Sequence, residues 1–315
     1  MGHTNDPGGA MRRVRYESRG GPLFVEEAPL PEPGPGELLV RAEAIGVTLP
    51  VVRKVTEAAE PAPLGGEIAG EVTAVGEGVT RYGTGDRVTG LCLGHGYADF
   101  ALLHEAMASP VPRDASAVDA VALVRSGLVA LGALEAARPQ PGEAALVTAA
   151  ASGVGQLAVQ LATTRGAGRV VGAVSDPAKA DFVRGLGADH VITYGDDGWG
   201  TPVDYVLDAV GGELLTPALA ALAPEGRLVA YSSGGGIIQA YDLLVGAKSV
   251  IGFQLARIAR GKPELYEQWR EELWRLFAAG ELRPAVHGEF ALEDAAKAHG
   301  EIDERSNLGK VVLIP

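Results

Sequence analysis

The chain has 315 residues, of which 47% are hydrophobic and 21% are charged, and its formal net charge is −13 at pH 7. This length is sufficient for two domains with a sizeable core, whereas the acidic balance argues against nucleic acid or an anionic membrane as a general partner. The single cysteine, Cys92, excludes an intrachain disulfide framework and a cysteine-rich zinc site, and it favours a reducing cytoplasm.

The first part of the chain predicts short strands and turns. Residues 1–10 are polar and glycine-rich, so we expect them to be loosely ordered. Strand patterns follow in "LFVEEAP" and "ELLVRAEAIGV", separated by the turn block "LPEPGPG". Further strands are predicted in "GEIAGEVTAVGEGV", "GDRVTGL" and "YADFALL". Together they predict a mostly antiparallel β unit.

From about residue 118 helices and strands alternate. "AVDAVALVRSGLVALGALEAA" has helical periodicity, and "AALVTAA" begins a series of strands between which helices are predicted at 155–164 and 177–186. The last of these strands is "GRLVAYS". This alternation predicts a parallel sheet with a doubly wound, nucleotide-binding type of topology. A long helix at about 264–279 and a tail of one helix and one strand follow, and we expect the tail to return to the β unit.

No segment of the chain contains the roughly 18 uninterrupted apolar residues that a membrane span needs. We therefore expect no membrane partner.

The stretch "TAAASGVGQLAVQLA", residues 148–162, places small residues at the three key positions of a G-x-G-x-x-G fingerprint: Ala150, Ser152 and Gly155. The first keeps the turn tight, the second lets the backbone approach a pyrophosphate, and the third lets the helix pack on the strand. The helix start directs N–H groups and its positive dipole end toward the anion. A strand precedes and a helix follows, as the motif requires. The alternative is a sheet turn that binds no ligand.

The residues after the second strand of this unit bear on the choice between NADPH and NADH. An acidic residue at the strand end would bind the ribose 2′-hydroxyl and repel a 2′-phosphate, but this strand ends in apolar residues. Ser175 and Lys179 offer a hydroxyl and an ammonium that suit a phosphate dianion, and Tyr194 would close the pocket. We therefore favour NADPH. Asp176 leaves NADH open, and Lys179 as an ordinary solvated helix residue is the other alternative.

Long motifs from Met11 to Pro315 together resemble a known family. They are "PLPEPGPGELLVRAEAIGV", "GGEIAGEVTAVGEGVTRYGTGDRV", "GYADFALL", "PGEAALVTAAASGVGQLAVQLA", "LGADHVITY", "VDYVLDAVGG", "GRLVAYSS" and "ALEDAAKAHGEIDERSNLGKVVLIP". The chain resembles a zinc-independent medium-chain dehydrogenase/reductase of the quinone oxidoreductase type. The resemblance implies an α/β fold with a GroES-like β domain (residues 11–121 and 270–315) and a Rossmann domain with a doubly wound parallel sheet (residues 122–269), with the nicotinamide in the cleft between them.

The resemblance also implies cofactor contacts and a homodimer that pairs the Rossmann sheets edge to edge through the strand at 249–255. The implied contacts, beside Ala150, are Ser152, Gly153, Val154 and Gly155 for the pyrophosphate, Ser175, Lys179 and Tyr194 for the 2′-phosphate, Val210 and Gly211 under the ribose, Phe253 and Leu255 near the nicotinamide, and Asn307 facing the cofactor from the other domain.

The chain departs from zinc-containing relatives at their ligand positions. Those relatives place a cysteine after the "AIG" strand and a Gly-His-Glu where this chain has "GGE"; here Thr48 and Gly66 occupy these positions. Cys92 and His95 form a two-ligand pair without an obvious third ligand, so a buried thiol and a loop histidine are the favoured interpretation. We expect no metal site.

The chain also lacks several of the polar residues that usually surround the nicotinamide and substrate in this family. Quinone reductases of this type carry an asparagine and then an aspartate after "GV", and a threonine in the helix before the Rossmann domain. This chain has Thr48, Val51 and Val129 instead. The change suggests a different substrate, or a lost activity.

These features predict hydride transfer from NADPH to a small molecule, a quinone or an α,β-unsaturated carbonyl, without zinc. The candidate catalytic donors to the developing oxyanion are Thr48 and Tyr97, with an aromatic packed on the β domain as the alternative for Tyr97. Arg125 would bind an acidic substrate or be an ordinary ion-paired arginine. Two other functions stay open: a tailoring enzyme that performs enoyl reduction of a polyketide-like or acyl substrate, and a non-catalytic NADPH-binding protein.

Overall fold

The computed structural model describes residues 9–231 and 234–315, and the chain divides into two units. The first contains the residues up to Arg125 together with Val286–Pro315, and the second is Ser126–Ala285. The second boundary falls later than the expected 269/270 because the long helix before it packs within the second unit. Of the predicted features, residues 1–8 of the N-terminus and Ser232, the last residue of the strand "GRLVAYS", lie outside the described residues.

The secondary structure follows the chain as two sets of elements. The strands are β1 (Ala10–Arg15), β2 (Phe24–Pro29), β3 (Glu37–Val47), β4 (Gly66–Val75), β5 (Arg87–Cys92), β6 (Phe100–His104), β7 (Ala108–Pro110), β8 (Ala144–Thr148), β9 (Arg169–Val174), β10 (His190–Thr193), β11 (Val203–Asp208), β12 (Leu222–Ala230), β13 (Ser249–Gly252), β14 (Val286–Ala291) and β15 (Lys310–Ile314). The α-helices are α1 (Leu49–Glu57), α2 (Ala117–Ala137), α3 (Gly155–Thr164), α4 (Ala180–Gly185), α5 (Leu215–Ala220), α6 (Ala240–Gly246), α7 (Leu255–Gly261), α8 (Pro263–Ala278) and α9 (Ala295–Asp303).

The first unit is built on a sheet in the order β14-β15-β3-β4-β5-β7, with β6 also paired to β3 and a separate β1-β2 hairpin. Its pairs are antiparallel except for β14 with β15. The C-terminal strand β15 pairs with β3, where Val311 lies opposite Val47. The expectation that the tail returns to the β unit is therefore confirmed.

The sequence did not predict α1, which begins directly after β3. Its residues Val51, Val52 and Val55 are buried against the core of the first unit. Their spacing places them on one helical face. The helix is 9 residues long, and Pro50 sits in its first turn. The short length and the proline are typical of a turn when only the sequence is considered.

The second unit contains the parallel sheet β10-β9-β8-β11-β12-β13. The chain passes outward from β8 to β10 and then returns to add β11 to β13 on the other side, which is the predicted doubly wound topology. The helix predicted at 177–186 divides into a short 3₁₀ turn, Pro177–Lys179, and α4. The strand predicted at 249–255 ends at Gly252, and Leu255 begins α7.

Among the described helices, α2 is long and apolar enough to cross a membrane, but 72% of its apolar window is buried inside the structure. Such burial is what the core helix of a folded domain shows. The helix is weak evidence for a membrane span.

Candidate cofactor and substrate sites

The turn between β8 and α3 leaves no room for a side chain at Gly155. A Cβ atom there would lie 2.1 Å from the carbonyl oxygen of Ala149, whose φ is 48°. Ala150 is fully buried, and its N–H donates to the carbonyl of Ala173 on β9 at 3.1 Å. The third small residue of the fingerprint therefore brings the helix against the strand, as the glycine pattern predicts.

Ser152 organises the start of α3. Its Oγ accepts a hydrogen bond from the N–H of Gly155 at 3.0 Å, and its carbonyl accepts one from Gln156 at 3.0 Å. Within residues 149–158, all of which the structure describes, nothing accepts a hydrogen bond from the N–H of Gly153 or Val154. Two backbone donors at the positive end of a helix suit a phosphate or pyrophosphate group.

Tyr194 connects the glycine turn to the end of β9. Its hydroxyl accepts a hydrogen bond from the N–H of Ala149 at 2.9 Å, and its own N–H donates to the carbonyl of Val174 at 3.1 Å. Ser175 is exposed immediately after that carbonyl. The strand ends that carry Ser175 and Tyr194 are neighbours in the sheet, and both adjoin the turn.

Asp176, the residue that leaves NADH open, caps a local turn. Its Oδ1 accepts a hydrogen bond from the N–H of Ala178 at 2.8 Å, so one carboxylate oxygen is used by the Pro177–Lys179 turn. Lys179 closes that turn and is half-buried. Ser175, Asp176 and Lys179 thus lie within one short segment after β9.

A buried pair that the sequence analysis did not single out holds the neighbouring turn. Thr148 Oγ1 donates to Asp208 Oδ1 at 2.9 Å, and both residues are fully buried. The same hydroxyl accepts from the N–H of Ala209 at 2.8 Å, while the carboxylate accepts from Val210 at 3.2 Å and Gly211 at 2.9 Å. The expected ribose contacts, Val210 and Gly211, are therefore fixed beside the glycine turn. An aspartate at the end of an apolar strand was the sequence signal for this pair.

Phe253 packs inside the second unit. Its ring lies 6.4 Å from that of Trp269, and a Cβ atom on Gly132 would come within 2.3 Å of its Cζ. Leu255 is half-buried at the start of α7. Phe253 therefore packs against α2 and α8. Its expected contact with the nicotinamide stays a prediction.

Thr48 is the residue between β3 and α1. It has extended backbone angles (φ −136°, ψ 148°), is half-buried, and its side chain makes no capping hydrogen bond to the helix. Its hydroxyl is therefore not used by the helix that it precedes. Val51, three residues later, points into the core with 8% of its surface exposed.

Tyr97 is buried in the core of the first unit, with 1% of its surface exposed. Its hydroxyl lies 3.2 Å from Nε2 of His299 on α9, and the two rings meet edge to face at a centroid distance of 5.7 Å. Burial raises the pKa of Tyr97, with a further contribution from Glu67, and burial lowers the pKa of His299 to about 4. This placement favours the packing alternative for Tyr97 and counts against its prediction as an oxyanion donor.

Glu67 on β4 joins two cationic side chains. Its Oε2 contacts the buried ammonium of Lys310 on β15, and its Oε1 accepts a hydrogen bond from Nη1 of Arg125 on α2 at 3.1 Å. Glu67 and Lys310 are almost completely buried, whereas the Arg125 side chain is 36% exposed. Arg125 is thus ion-paired, one of the two roles considered from sequence; the Lys310 partner was not foreseen, because the pattern gives no sign of a contact over 243 positions.

Cys92 is buried at the end of β5, and burial raises the pKa of its thiol. Across residues 9–231 and 234–315 the structure contains no group of three His, Cys, Asp or Glu side chains placed to hold a metal ion. Cys92 and His95 remain a pair without a third ligand in that part of the chain.

Asn307 stabilises the turn that leads into β15. Its Nδ2 donates to the carbonyl of Gly309 at 2.9 Å, and the N–H of the intervening Leu308 donates to Nδ1 of His287 at 3.1 Å. The side-chain amide of Asn307 therefore stabilises its own turn. Its expected contact with the cofactor stays a prediction.

Family models match segments of both units of the chain. The alcohol dehydrogenase GroES-like domain model matches residues 34–113, and the zinc-binding dehydrogenase model matches residues 186–313. A quinone oxidoreductase of Pseudomonas aeruginosa is 33% identical, covering 96% of this chain and 99% of its own length. A 2-haloacrylate reductase of a Burkholderia species is 31% identical, covering 97% and 99%.

Two further similarities are informative. A spectinabilin polyketide synthase system protein of Streptomyces orinoci is 34% identical over 98% of this chain, which corresponds to 14% of its own length. A solved mycobacterial structure, complexed with NADPH, has a TM-score of 0.89 and 32% identity, covering 96% of this chain and 100% of that one.

A GroES-like β unit followed by a doubly wound Rossmann unit defines the medium-chain dehydrogenase/reductase class of oxidoreductases. Within that class, the chain belongs to the quinone oxidoreductase family.

Proposed function

We propose that the protein is an NADPH-dependent oxidoreductase that reduces a quinone or an α,β-unsaturated carbonyl without zinc. The observation that carries this proposal is the glycine turn, where Gly155 admits only hydrogen as its side chain and the N–H groups of Gly153 and Val154 have no acceptor within the turn. A pyrophosphate fits this arrangement of donors at a helix start.

Three side chains support NADPH over NADH. Ser175 and Lys179 lie after β9, and Tyr194 is held between that strand end and the glycine turn. In our proposal they bind the 2′-phosphate, because a hydroxyl, an ammonium and a phenol all donate to phosphate oxygens. Asp176 already accepts a hydrogen bond from the N–H of Ala178 with one carboxylate oxygen, which weakens the case for it as a ribose ligand. The NADPH complex of the mycobacterial relative supports the same choice.

Bound NADPH would supply the hydride for the β-carbon of the acceptor, and solvent would supply the proton that balances the charge on the carbonyl oxygen. The chain's own task is to orient the acceptor and to stabilise the oxygen as it gains charge. We assign the second task to the Thr48 hydroxyl, which is half-buried and not used to cap α1.

The residues at the usual zinc-ligand positions support a reaction without metal. Thr48 has a hydroxyl and Gly66 has no side chain, so neither offers the thiolate or imidazole that zinc prefers in proteins. A carbonyl conjugated to a double bond accepts hydride without such a Lewis acid, whereas alcohol oxidation of the zinc-dependent type relies on one.

A second candidate function is enoyl reduction of a polyketide-like or acyl substrate. It is supported by the 34% identity to a segment of the spectinabilin polyketide synthase system protein. The chemistry would be the same hydride addition to a conjugated β-carbon, with an α,β-unsaturated thioester as the acceptor in place of a ketone or quinone.

We also propose a homodimer in a reducing, cytoplasmic compartment. Strand β13 lies at one end of the parallel sheet, and exposed apolar side chains are found nearby in the sequence, including Tyr241 at 71% and Leu244 at 75% exposure. An apolar strip beside a sheet edge is the kind of surface that a second copy covers. The buried free thiol of Cys92 suits a reducing environment.

The test is a fluorescence titration of NADPH and NADH against wild type and Lys179→Ala, followed by NADPH oxidation assays with p-benzoquinone, methyl benzoylacrylate and a crotonyl thioester, each with and without a zinc chelator. We expect tighter binding of NADPH, weakened in the variant by about tenfold, and chelator-insensitive turnover. Preference for the thioester would select enoyl reduction. Tight binding without turnover of any acceptor would indicate a non-catalytic NADPH-binding protein and overturn the proposal.

A further inference from the structure

The Glu67 cluster contains more positive than negative side chains. One carboxylate is shared by the Lys310 ammonium and the Arg125 guanidinium. Lys310 has 4% of its side chain exposed, so solvent scarcely reaches it, whereas Arg125 is 36% exposed. Among the described residues, Glu67 is the one hydrogen-bond and ion-pair partner of Arg125. Since a guanidinium has five N–H donors, most of those of Arg125 are left for another acceptor.

The sheet is shaped to hold this cluster. Gly46 on β3 lies opposite Glu67 on β4, and a Cβ atom at Gly46 would come within 2.7 Å of Lys310 Cε, 2.9 Å of Glu67 Oε2 and 2.9 Å of Val121 Cγ1 on α2. Only a glycine allows the three elements to close over the carboxylate. Val121 precedes Arg125 by one helical turn, so the guanidinium continues the same face of α2.

The cluster lies at the strand ends that also carry Thr48. Val47 pairs with Val311 in the antiparallel register, so the next positions along these two strands are Thr48 and Lys310. The oxyanion donor of the proposed reaction and the Arg125 cluster therefore belong to the same end of the same sheet. The chain as a whole carries a charge of −13, which disfavours an anionic small molecule unless a local cation binds it.

We infer that Arg125, positioned by Glu67, binds an acidic group of the substrate, and that the preferred acceptors are conjugated carbonyl compounds bearing a carboxylate. This inference rests on the proposed function. It makes Arg125 a specificity-determining residue: the guanidinium offers two parallel N–H donors to a carboxylate, while Glu67 fixes its orientation and Lys310 keeps Glu67 in place.

The experiment compares two acceptors that differ only in charge, benzoylacrylate and its methyl ester, on wild type, Arg125→Gln, Arg125→Lys and Arg41→Gln. Arg41 is the matched control, because it is ion-paired with Glu71 on the same strand β4 but is 52% exposed. We expect Arg125→Gln to lower kcat/KM for the acid by about tenfold to a hundredfold, chiefly through KM, and to leave the ester within about twofold. Arg125→Lys keeps the positive charge but lacks the planar guanidinium, so its kcat/KM for the acid should lie between those of wild type and Arg125→Gln. Arg41→Gln should change neither.

Equal losses for acid and ester in Arg125→Gln would show a purely structural role, and no loss for either would show no role; each result overturns the inference while the reductase proposal stands. If wild type reduces neither acceptor, the proposed function fails for these substrates, and calorimetry with the saturated acid, benzoylpropionate, tests the inference separately. Binding to wild type that is lost in Arg125→Gln retains the anion site. Binding that is absent from wild type, or equal in both proteins, overturns it.

Discussion

Thr148 at the end of β8 and Asp208 at the end of β11 form a hydrogen bond of 2.9 Å in which neither side chain is exposed to solvent. The strands are neighbours in the parallel sheet, so this bond ties the start of the glycine turn to the turn at 209–211. Between them the two side chains satisfy three backbone N–H groups that no strand ladder reaches. The pair thus stabilises the carboxyl-terminal ends of the two central strands, where we place the cofactor.

Replacing Thr148 with valine keeps the side-chain volume but removes the hydroxyl. The N–H of Ala209 then has no acceptor and Asp208 loses one donor, so we expect the free energy of unfolding to fall by about 1–3 kcal/mol and NADPH binding to weaken. Urea denaturation and a fluorescence titration measure the two effects. Thr164→Val is the control, because Thr164 is exposed and its hydroxyl donates to the carbonyl of Gln160 in its own helix. Equal effects from both substitutions would contradict a special role for the buried pair.

Gly155→Ala tests the close approach of α3 to β8. The added methyl would lie 2.1 Å from the carbonyl oxygen of Ala149, so the helix start must move, and we expect lower stability together with the loss of most NADPH affinity. Gly300→Ala is the matched control in a helix interior with nothing within 4 Å of the new Cβ, and it should stabilise the protein by about 0.5–1 kcal/mol. An unchanged NADPH affinity in Gly155→Ala would count against the turn as the pyrophosphate site.

Local sequence patterns predicted much of the secondary structure, because a helix or strand depends mainly on residues that are close together in the sequence. Helices α2 and α3 and strand β3 have the predicted bounds, because each is an uninterrupted run with glycine or proline close to its ends. Helices α6 and α7 were missed: each has 7 residues and no buried side chain, so no apolar face marks them. The glycine turn belongs to the predictable part, because spacing alone defines it.

The long-range side-chain contacts of the first unit are of another kind. Arg125 and Glu67 are 58 positions apart, and Tyr97 and His299 are 202 apart. Such pairs depend on which strands become neighbours and in which register, and periodicity contains no information about that. Tyr97 was predicted as a candidate oxyanion donor, but α9 covers its ring with His299. A buried polar pair of this sort is visible only once the topology is known.

Tyr97→Phe separates the two roles considered for the phenol. The substitution removes the hydroxyl from the 3.2 Å contact with His299, so we expect the free energy of unfolding to fall by about 1 kcal/mol and kcat for methyl benzoylacrylate to stay within about twofold. Thr48→Val serves as the comparison, since there we expect a large loss of kcat with little loss of stability. A large loss of kcat in Tyr97→Phe with unchanged stability would restore the phenol as an oxyanion donor.

Stability should decrease in mild acid because His299 is buried without charge. Burial lowers its pKa to about 4 in the folded protein, whereas an unfolded chain has a histidine pKa of about 6.5. Below pH ~6.5 the unfolded state binds a proton that the folded state does not, so stability is fully present above this pH and declines toward pH ~4, by about 3 kcal/mol in total. Urea midpoints for wild type and His299→Gln across this range measure the effect. The variant should show a smaller decline; parallel curves would assign the acid sensitivity to other groups.

We expect strand β13 and the exposed apolar residues that precede it in the sequence to hold two copies of the chain together. Leu244 is 75% exposed on α6, and Val250 is 37% exposed on β13 itself, an edge strand that has no second partner among the described residues. We expect Leu244→Asp to convert a dimer into a monomer at micromolar concentration, because a carboxylate in an apolar interface must be desolvated without a partner. Leu93→Asp is the control: Leu93 is 78% exposed but lies in the other unit, far from β13 in the sequence. Light scattering coupled to size-exclusion chromatography measures the masses. A wild-type protein that is already monomeric, or a loss of dimer in Leu93→Asp alone, would refute pairing through this edge.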